Sequence, residues 1–264
     1  MMNYPVVDEG YLHMEAGLWP GLPLNDAFLF GDSIFTSFST VNMCVPWWND
    51  HRKRLLDGWR WRCGEDISGL DRRLEENLGI LSKALAGDLV VRITLYCTDA
   101  GPSPRILLTT RAFPPDRPVR LTQATIPTPR MSLPNFVKCG NYLQARREVE
   151  RAKAHGFDDV IFLSPDGYIL EASTSNLFLA KDGIVKTPST DGPLLEGVAR
   201  KHLIEFYRAN GIAVEEKKLT WNDVCEADEV FLTNAVRVTN VLTDFSLGEG
   251  PLYSKALEMM RARR

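Results

Sequence analysis

Three segments of this chain combine residue types that could act on one molecule: an amine, a carboxylate and a site for an anion. The amine is Lys138, in Asn135-Phe136-Val137-Lys138-Cys139-Gly140-Asn141-Tyr142-Leu143, just ahead of a stretch with helical periodicity. The carboxylate is Glu171. Before it, Val160 to Leu163 reads as an apolar strand, and Asp166-Gly167 supplies the positive torsions of a tight two-residue turn. The second arm of this hairpin begins at Ile169 and Leu170 and carries Glu171 through small polar residues to Phe178. The anion site is Leu194-Leu195-Glu196-Gly197-Val198-Ala199-Arg200, where a glycine opens a helix and leaves main-chain N–H groups free. An amine that condenses with an aldehyde, a carboxylate for a protonated ring nitrogen and a phosphate cradle are the parts that pyridoxal phosphate requires.

Several segments resemble the class IV aminotransferases, the fold-type IV pyridoxal-phosphate enzymes. In chain order they are Phe30-Gly31-Asp32-x-x-Phe35-Thr36, His51-x-x-Arg54-Leu55, Lys138-x-x-Asn141-Tyr142-Leu143, Glu171-x-Ser173-x-Ser175-Asn176-Leu177-Phe178, Thr187-Pro188, Leu195-x-Gly197-Val198-x-Arg200 and Ala227-Asp228-Glu229-Val230-Phe231-Leu232-Thr233-Asn234. The family includes branched-chain and D-amino-acid aminotransferases and 4-amino-4-deoxychorismate lyase. The resemblance implies an α/β (α+β) fold of the D-amino-acid aminotransferase type in two domains with the cofactor between them, a small amino substrate and a homodimer.

By the same resemblance, Lys138 attaches the cofactor and moves the proton beside the substrate amine, and Glu171 faces the ring nitrogen. Arg54, Gly197, Val198, Thr233 and Asn234 hold the phosphate, and Tyr142 lies near the phenolic oxygen. Thr36, Arg92 and Arg105 are candidates for the substrate, with Arg237 a further candidate for its carboxylate. Read without the resemblance, Lys138 is a surface lysine, Arg54 a solvated helix residue, Tyr142 a core aromatic and Gly197 plain punctuation.

The Lys-x-x-Asn-Tyr-Leu spacing, the short chain and Leu-Thr-Asn-Ala at 232–235 bring the resemblance nearest to the lyase, which eliminates pyruvate and leaves p-aminobenzoate. The stretch after Arg92 lacks both the Arg-Gly-rich loop of many lyases and the Arg-x-His motif of D-amino-acid aminotransferases. The alternatives are transfer of an amino group from D- or branched-chain amino acids, and a relative that binds the cofactor without catalysis.

The elements that must position these residues can be read from pattern. Residues 28–41 turn from a Gly-Asp loop into a strand with Ile34 and Thr36 on one face and Phe35 and Ser37 on the other, one face toward the core and the other toward a cleft. Asn49 or Asp50 can cap the helix that carries His51 and Arg54. Leu70, Leu74, Leu78, Leu81 and Leu85 mark an amphipathic helix, followed by strands at 89–97 and 105–110 and a loop through Thr98, Asp99, Gly101, Ser103 and Pro104. The Pro-rich run 114–118 is the expected linker between domains 1–113 and 119–264. Beyond it come a strand at 119–126, an irregular stretch at 127–134, a helix from Asn141 to His155 stopped by Gly156, and a helix from Val198 to Asn210 stopped by Gly211. Strands at 213–219 and 230–233 and a last helix at 254–263 follow.

Composition narrows the class. The 264 residues are 44% hydrophobic and 25% charged, with a net charge of −3 and no basic block beyond Arg261 to Arg264, which argues against a nucleic-acid partner. Residues 1–15 lack the pattern of a signal peptide, and no apolar run has membrane length, so a cytoplasmic location is expected. The scattered cysteines Cys44, Cys63, Cys97, Cys139 and Cys225 predict reduced thiols, and the histidines form no metal-ligand pattern.

Overall fold

The structure is a computed structural model that describes residues 6–8, 11–13, 26–64, 67–98, 101–242 and 250–263. Most of the N-terminal segment read for a leader, and Asp99 of the expected loop, lie outside the described residues. The chain forms two compact units. The first holds the residues up to Pro114 together with Phe136–Tyr142, and the second holds Pro115–Asn135 and Leu143–Arg263. The segment around Lys138 thus groups with the N-terminal residues, although the expected division placed it after the linker.

The first unit contains β1 (Val6–Asp8), β2 (Tyr11–His13), α1 (Asp26–Phe30), β3 (Ser33–Ser39), α2 (Trp48–Cys63), α3 (Leu70–Ala84), β4 (Val90–Thr98) and β5 (Gly101–Arg111). Its sheet runs β2-β1-β5-β4-β3, with antiparallel pairs throughout. Because side chains alternate along a strand, the register sorts residues onto two faces. Ile34, Thr36 and Phe38 align with Leu95, Ile93 and Val91 on one face. Phe35 and Ser37 align with Thr94 and Arg92 on the other, where Ser33, Tyr96 and Arg105 also fall.

Helix α2 lies on the first face: a Cβ added at Gly58 would come 2.8 Å from Ile34 Cγ2, so this close approach requires glycine. The leucine stripe of α3 is core, with Leu70, Leu74, Leu78 and Leu81 all buried. Each contributes about 1.5–3 kcal/mol relative to exposure.

Local corrections have local causes. Residues 26–30 form α1 rather than leading straight into a strand, and Gly31 at φ +71° makes the reversal before β3. The α2 N-cap is Trp47, at φ 55°, and both Asn49 and Asp50 fall inside the helix. Helix α1 is followed by a strand buried on both faces apart from a half-buried Ser37.

The second unit contains β6 (Val119–Gln123), α4 (Leu143–Ala154), β7 (Asp159–Leu163), β8 (Ile169–Ala172), β9 (Asn176–Lys181), β10 (Ile184–Pro188), α5 (Val198–Ala209), β11 (Val214–Lys217), α6 (Trp221–Cys225), β12 (Glu229–Thr233), β13 (Val238–Leu242) and α7 (Pro251–Ala262). Its sheet runs β11-β10-β9-β12-β13-β6-β7-β8, and β8 also pairs with β9, which closes the strands from β9 to β8 into a ring. Ile161, Ile169, Leu177, Leu179, Val230, Leu232 and Val241 belong to one buried cluster within this unit.

The second arm of the expected hairpin is interrupted. Ala172 N–H donates to Ser175 O at 2.8 Å, so the chain reverses through Ser173-Thr174-Ser175 and sets Glu171 opposite Asn176. The preceding turn is also longer than the expected two residues. Ser164 N–H donates to Tyr168 O at 2.8 Å, and of the turn residues only Gly167 has positive φ.

One buried carboxylate fixes α7. Glu229, on β12, accepts from Leu252 N–H at 3.2 Å and Tyr253 N–H at 2.7 Å, in the first turn of that helix. Gly250 is required there because a Cβ would lie 2.0 Å from Glu229 Cδ. Burial, with a further contribution from Glu229, pushes the Tyr207 phenol well above its ordinary value and keeps it a donor to Leu252 O at 2.6 Å. Glu229→Ala strands buried N–H groups, and urea unfolding should register a loss of about 1–3 kcal/mol with an unchanged m-value.

Candidate functional site

One group of the candidate residues, within the first unit, is built on the edge of β3. Phe35 N–H donates to Lys138 O at 2.8 Å and Gly140 N–H to Ser33 O at 2.9 Å, while Cys139 bridges Ile34. This antiparallel bridge decides side-chain direction: Cys139 shares the face of Ile34, and Lys138 shares the face of Phe35. Gly140 is dictated by the same approach, since a Cβ would meet Ser33 Oγ at 2.3 Å.

Lys138 Nζ lies 5.0 Å from the Phe35 ring centroid and 3.0 Å from Tyr142 Oη, and the Phe35 and Tyr142 rings are 5.8 Å apart. Tyr142 therefore turns its hydroxyl to the lysine rather than into a helix stripe; α4 begins after it, at Leu143.

Arg92 belongs to this group as well. Its guanidinium carbon is 3.6 Å from the Phe35 ring centroid, and Nε donates to Thr94 Oγ1 at 3.1 Å. Burial lowers its affinity for the proton, which the Tyr142 hydroxyl opposes. Among the described residues no carboxylate pairs with Arg92. Arg105 occupies the same sheet face, opposite Tyr96.

Thr36 does not belong to this face. It is fully buried toward α2, with Oγ1 2.7 Å from His51 Nδ1, because its even position in the strand turns it away from Phe35. Arg54 is half-buried on α2 in the first unit.

A separate group, within the second unit, gathers around Glu171, which is 8% exposed and therefore needs donors. Leu195 N–H and Asn176 Nδ2 reach Oε2 at 3.1 and 3.4 Å, and Arg130 Nε stands 3.4 Å from Oε1. Arg130 falls in the irregular run before Lys138, where no periodicity points to it. Asn176 also donates to Leu195 O at 2.8 Å.

Its Oδ1 explains Gly197: the glycine has an ordinary φ of −62°, yet a Cβ there would lie 2.1 Å from that oxygen. Helix α5 starts at Val198 with no side-chain cap, and among the described residues the N–H groups of Val198 and Ala199 have no acceptor. Thr233 pairs with Asn176 across β12 and β9, and its buried hydroxyl has no partner among the described residues. An uncapped helix start and an orphaned buried hydroxyl fit a phosphate.

Asn234 is committed elsewhere. Its Oδ1 accepts from Val236 and Arg237 N–H at 2.9 and 3.1 Å, and Nδ2 donates to Ser175 Oγ at 2.9 Å, so it builds its own turn and fastens it to the 173–175 reversal. Arg237, a further carboxylate candidate, donates to Pro115 O at 2.6 Å. Asp159 holds the other side of that reversal. Burial raises its carboxyl above the ordinary aspartate range, and hydrogen bonds to Ser173 oppose the rise.

Comparison with known proteins gives a consistent result. The family model for class IV aminotransferases matches residues 33–242. Branched-chain-amino-acid aminotransferase 5 from Arabidopsis thaliana is 40% identical over 101 residues, which make up 38% of this chain and 24% of that protein. The matched stretch therefore spans about a quarter of that curated relative. The branched-chain aminotransferase from the thermophilic archaeon Thermoproteus uzoniensis, solved with norvaline, superposes with a TM-score of 0.81 at 23% identity, and the match covers 98% of this chain and 94% of that one. A Legionella pneumophila protein provisionally named a 4-amino-4-deoxychorismate lyase superposes with a TM-score of 0.81 at 23% identity, covering 93% and 96%. At these identities the two structures speak for the fold.

Two consequences are measurable. Thr36→Val should cost about 1 kcal/mol of stability through the lost bond to His51 while leaving the KM for the amino substrate unchanged; a raised KM would return Thr36 to the substrate site. Asp159 is held above its unfolded value, so its protonated form favours folding, and that stability is lost as pH rises from about 4 through the folded value. Melting temperatures measured across this range should fall less steeply in Asp159→Asn than in the unsubstituted protein.

Proposed function

The chain belongs to the class IV aminotransferases, enzymes that depend on pyridoxal phosphate, and from that premise we propose that it is a 4-amino-4-deoxychorismate lyase, releasing pyruvate and p-aminobenzoate. When bound, the cofactor supplies an electron sink for the carbon that bears the substrate amine. The remaining tasks fall to the protein.

In this reading Lys138 attaches the cofactor through Nζ and then carries the proton at that carbon, as base and then as acid. Tyr142 Oη, 3.0 Å from Nζ, orients the amine. Glu171 faces the ring nitrogen. The N–H groups at Gly197 and Val198 hold the phosphate with the Thr233 hydroxyl, and Arg54 adds its charge.

The observation that supports this substrate class is Arg92, a largely buried guanidinium on the face of Lys138 with no carboxylate partner among the described residues. A buried cation without an acidic partner suits a ligand that brings its own carboxylate. Arg105 lies on the same face, and 4-amino-4-deoxychorismate offers a carboxylate to each.

Transamination of branched-chain or D-amino acids is the second reading. The names of the curated relatives favour the branched-chain substrates, and a dicarboxylate amino acceptor would also suit Arg92. The reading further takes the enzyme to be a homodimer, as the family resemblance implies, working in the cytoplasm. No helix of the described residues is long and apolar enough to cross a membrane.

Cofactor-loaded protein mixed with enzymatically generated 4-amino-4-deoxychorismate should yield p-aminobenzoate and pyruvate together, and Lys138→Ala should yield neither. A visibly yellow protein that produces neither, but converts branched-chain or D-amino acids in the presence of 2-oxoglutarate, would replace the lyase with the aminotransferase.

A further inference from the structure

The partners of Glu171 differ in charge, and that difference has a chemical consequence. Asn176 on β9 and the Leu195 N–H before α5 are neutral donors, and both address Oε2. Arg130 meets Oε1 as an ion pair, its Nε at 3.4 Å and outside hydrogen-bond geometry. Its side chain is 11% exposed and the carboxylate's 10%, so water screens the pair poorly. Arg130 Nη2 also donates to Pro134 O at 3.2 Å, which ties the guanidinium to the loop it comes from.

Resting on the assignment of Glu171 to the ring nitrogen of the cofactor, we infer that Arg130 is a positioning residue that shares the Glu171 carboxylate with that nitrogen and so limits how tightly the ring holds its proton. The reason is charge balance. With Arg130 in place the carboxylate is neutralised before any ring proton arrives, and protonation adds a positive charge to a nearly buried site. Without the guanidinium, the ring proton would itself complete a neutral pair, and the ring would release it only at higher pH. Arg130 therefore moderates the electron sink, while Asn176 and Leu195 fix where the carboxylate points.

The test uses cofactor-free and cofactor-loaded protein with Arg130→Gln and Arg130→Lys, and with Glu171→Gln to assign the carboxyl signal. In cofactor-free protein labelled with 13C at the glutamate carboxyls, the Glu171 titration should move up by about one to three pH units in Arg130→Gln, the range produced by an opposite charge at this separation, and stay near the unsubstituted position in Arg130→Lys. In protein loaded with ring-15N pyridoxal phosphate, the ring-nitrogen titration should move up in Arg130→Gln and be restored in Arg130→Lys.

A folded Arg130→Gln protein with bound cofactor and an unmoved or lowered ring-nitrogen midpoint overturns the inference, whatever the carboxyl does. Absence of any bound 15N signal in the unsubstituted protein would instead defeat the cofactor assignment and remove the inference with it. Should Arg130→Gln fail to fold, Arg130→Met keeps the packing of the aliphatic stem and gives the same comparison.

Discussion

A carboxylate removed from water must be met by donors, and in the second unit that requirement falls on Glu171. Several features of the unit answer it. The strand that carries Glu171 reverses at Ser173-Thr174-Ser175, which brings Asn176 opposite it. Asn176 then reaches both the carboxylate and the Leu195 carbonyl, and its own amide oxygen lies so close to residue 197 that only glycine fits. The start of α5 is therefore placed by the polar network around Glu171.

The lysine is placed by a different device. Backbone pairing with the edge of β3 sets Lys138 on the face of Phe35 and Arg92 and turns Cys139 to the opposite face. A strand edge protected in this way also stops presenting open hydrogen-bonding groups along that stretch. Because the anchor is made by main-chain atoms, the Lys138 ammonium is left to meet Tyr142 Oη at 3.0 Å. The same alternation that delivers Arg92 and Arg105 to the lysine's face sends Thr36 to His51, so one parity rule sorts these residues onto two faces.

Polar residues near the candidate site divide into those that are committed and those that are not. Asn234 satisfies its own turn and Asp159 steadies the neighbouring reversal through Ser173, whereas the Thr233 hydroxyl and the first N–H groups of α5 have no acceptor or donor among the described residues. Buried polar atoms without partners are uncommon in folded proteins, and Asn176, paired with Thr233 across the strands and in close approach to Gly197, links the two.

Much of this was legible in residue order because the causes are local. The leucine stripe of α3 and the glycine stops after α4 and α5 follow from helix periodicity and capping. Lys138, Glu171 and Gly197 stood out because each sits within a recognisable motif, although the reason for Gly197 is the close approach of Asn176 rather than its backbone torsion. A local signal for α6 was also present, since Thr220 and Asp223 form a capping box at its start.

The remaining assignments depended on contacts between distant residues, which periodicity does not encode. The interruption after Ala172 is settled by the pairing of Glu171 with Asn176, and β13 is held between β12 and β6 in the ring. Arg130 sits in an aperiodic proline-rich run, and only folding sets it 3.4 Å from a carboxylate that follows much later in the chain. The sequence by itself therefore determined which groups were available for the chemistry. The tertiary structure decided which of them meet, because the direction of a side chain is fixed by strand register and backbone pairing, and those are properties of partners brought together across the chain.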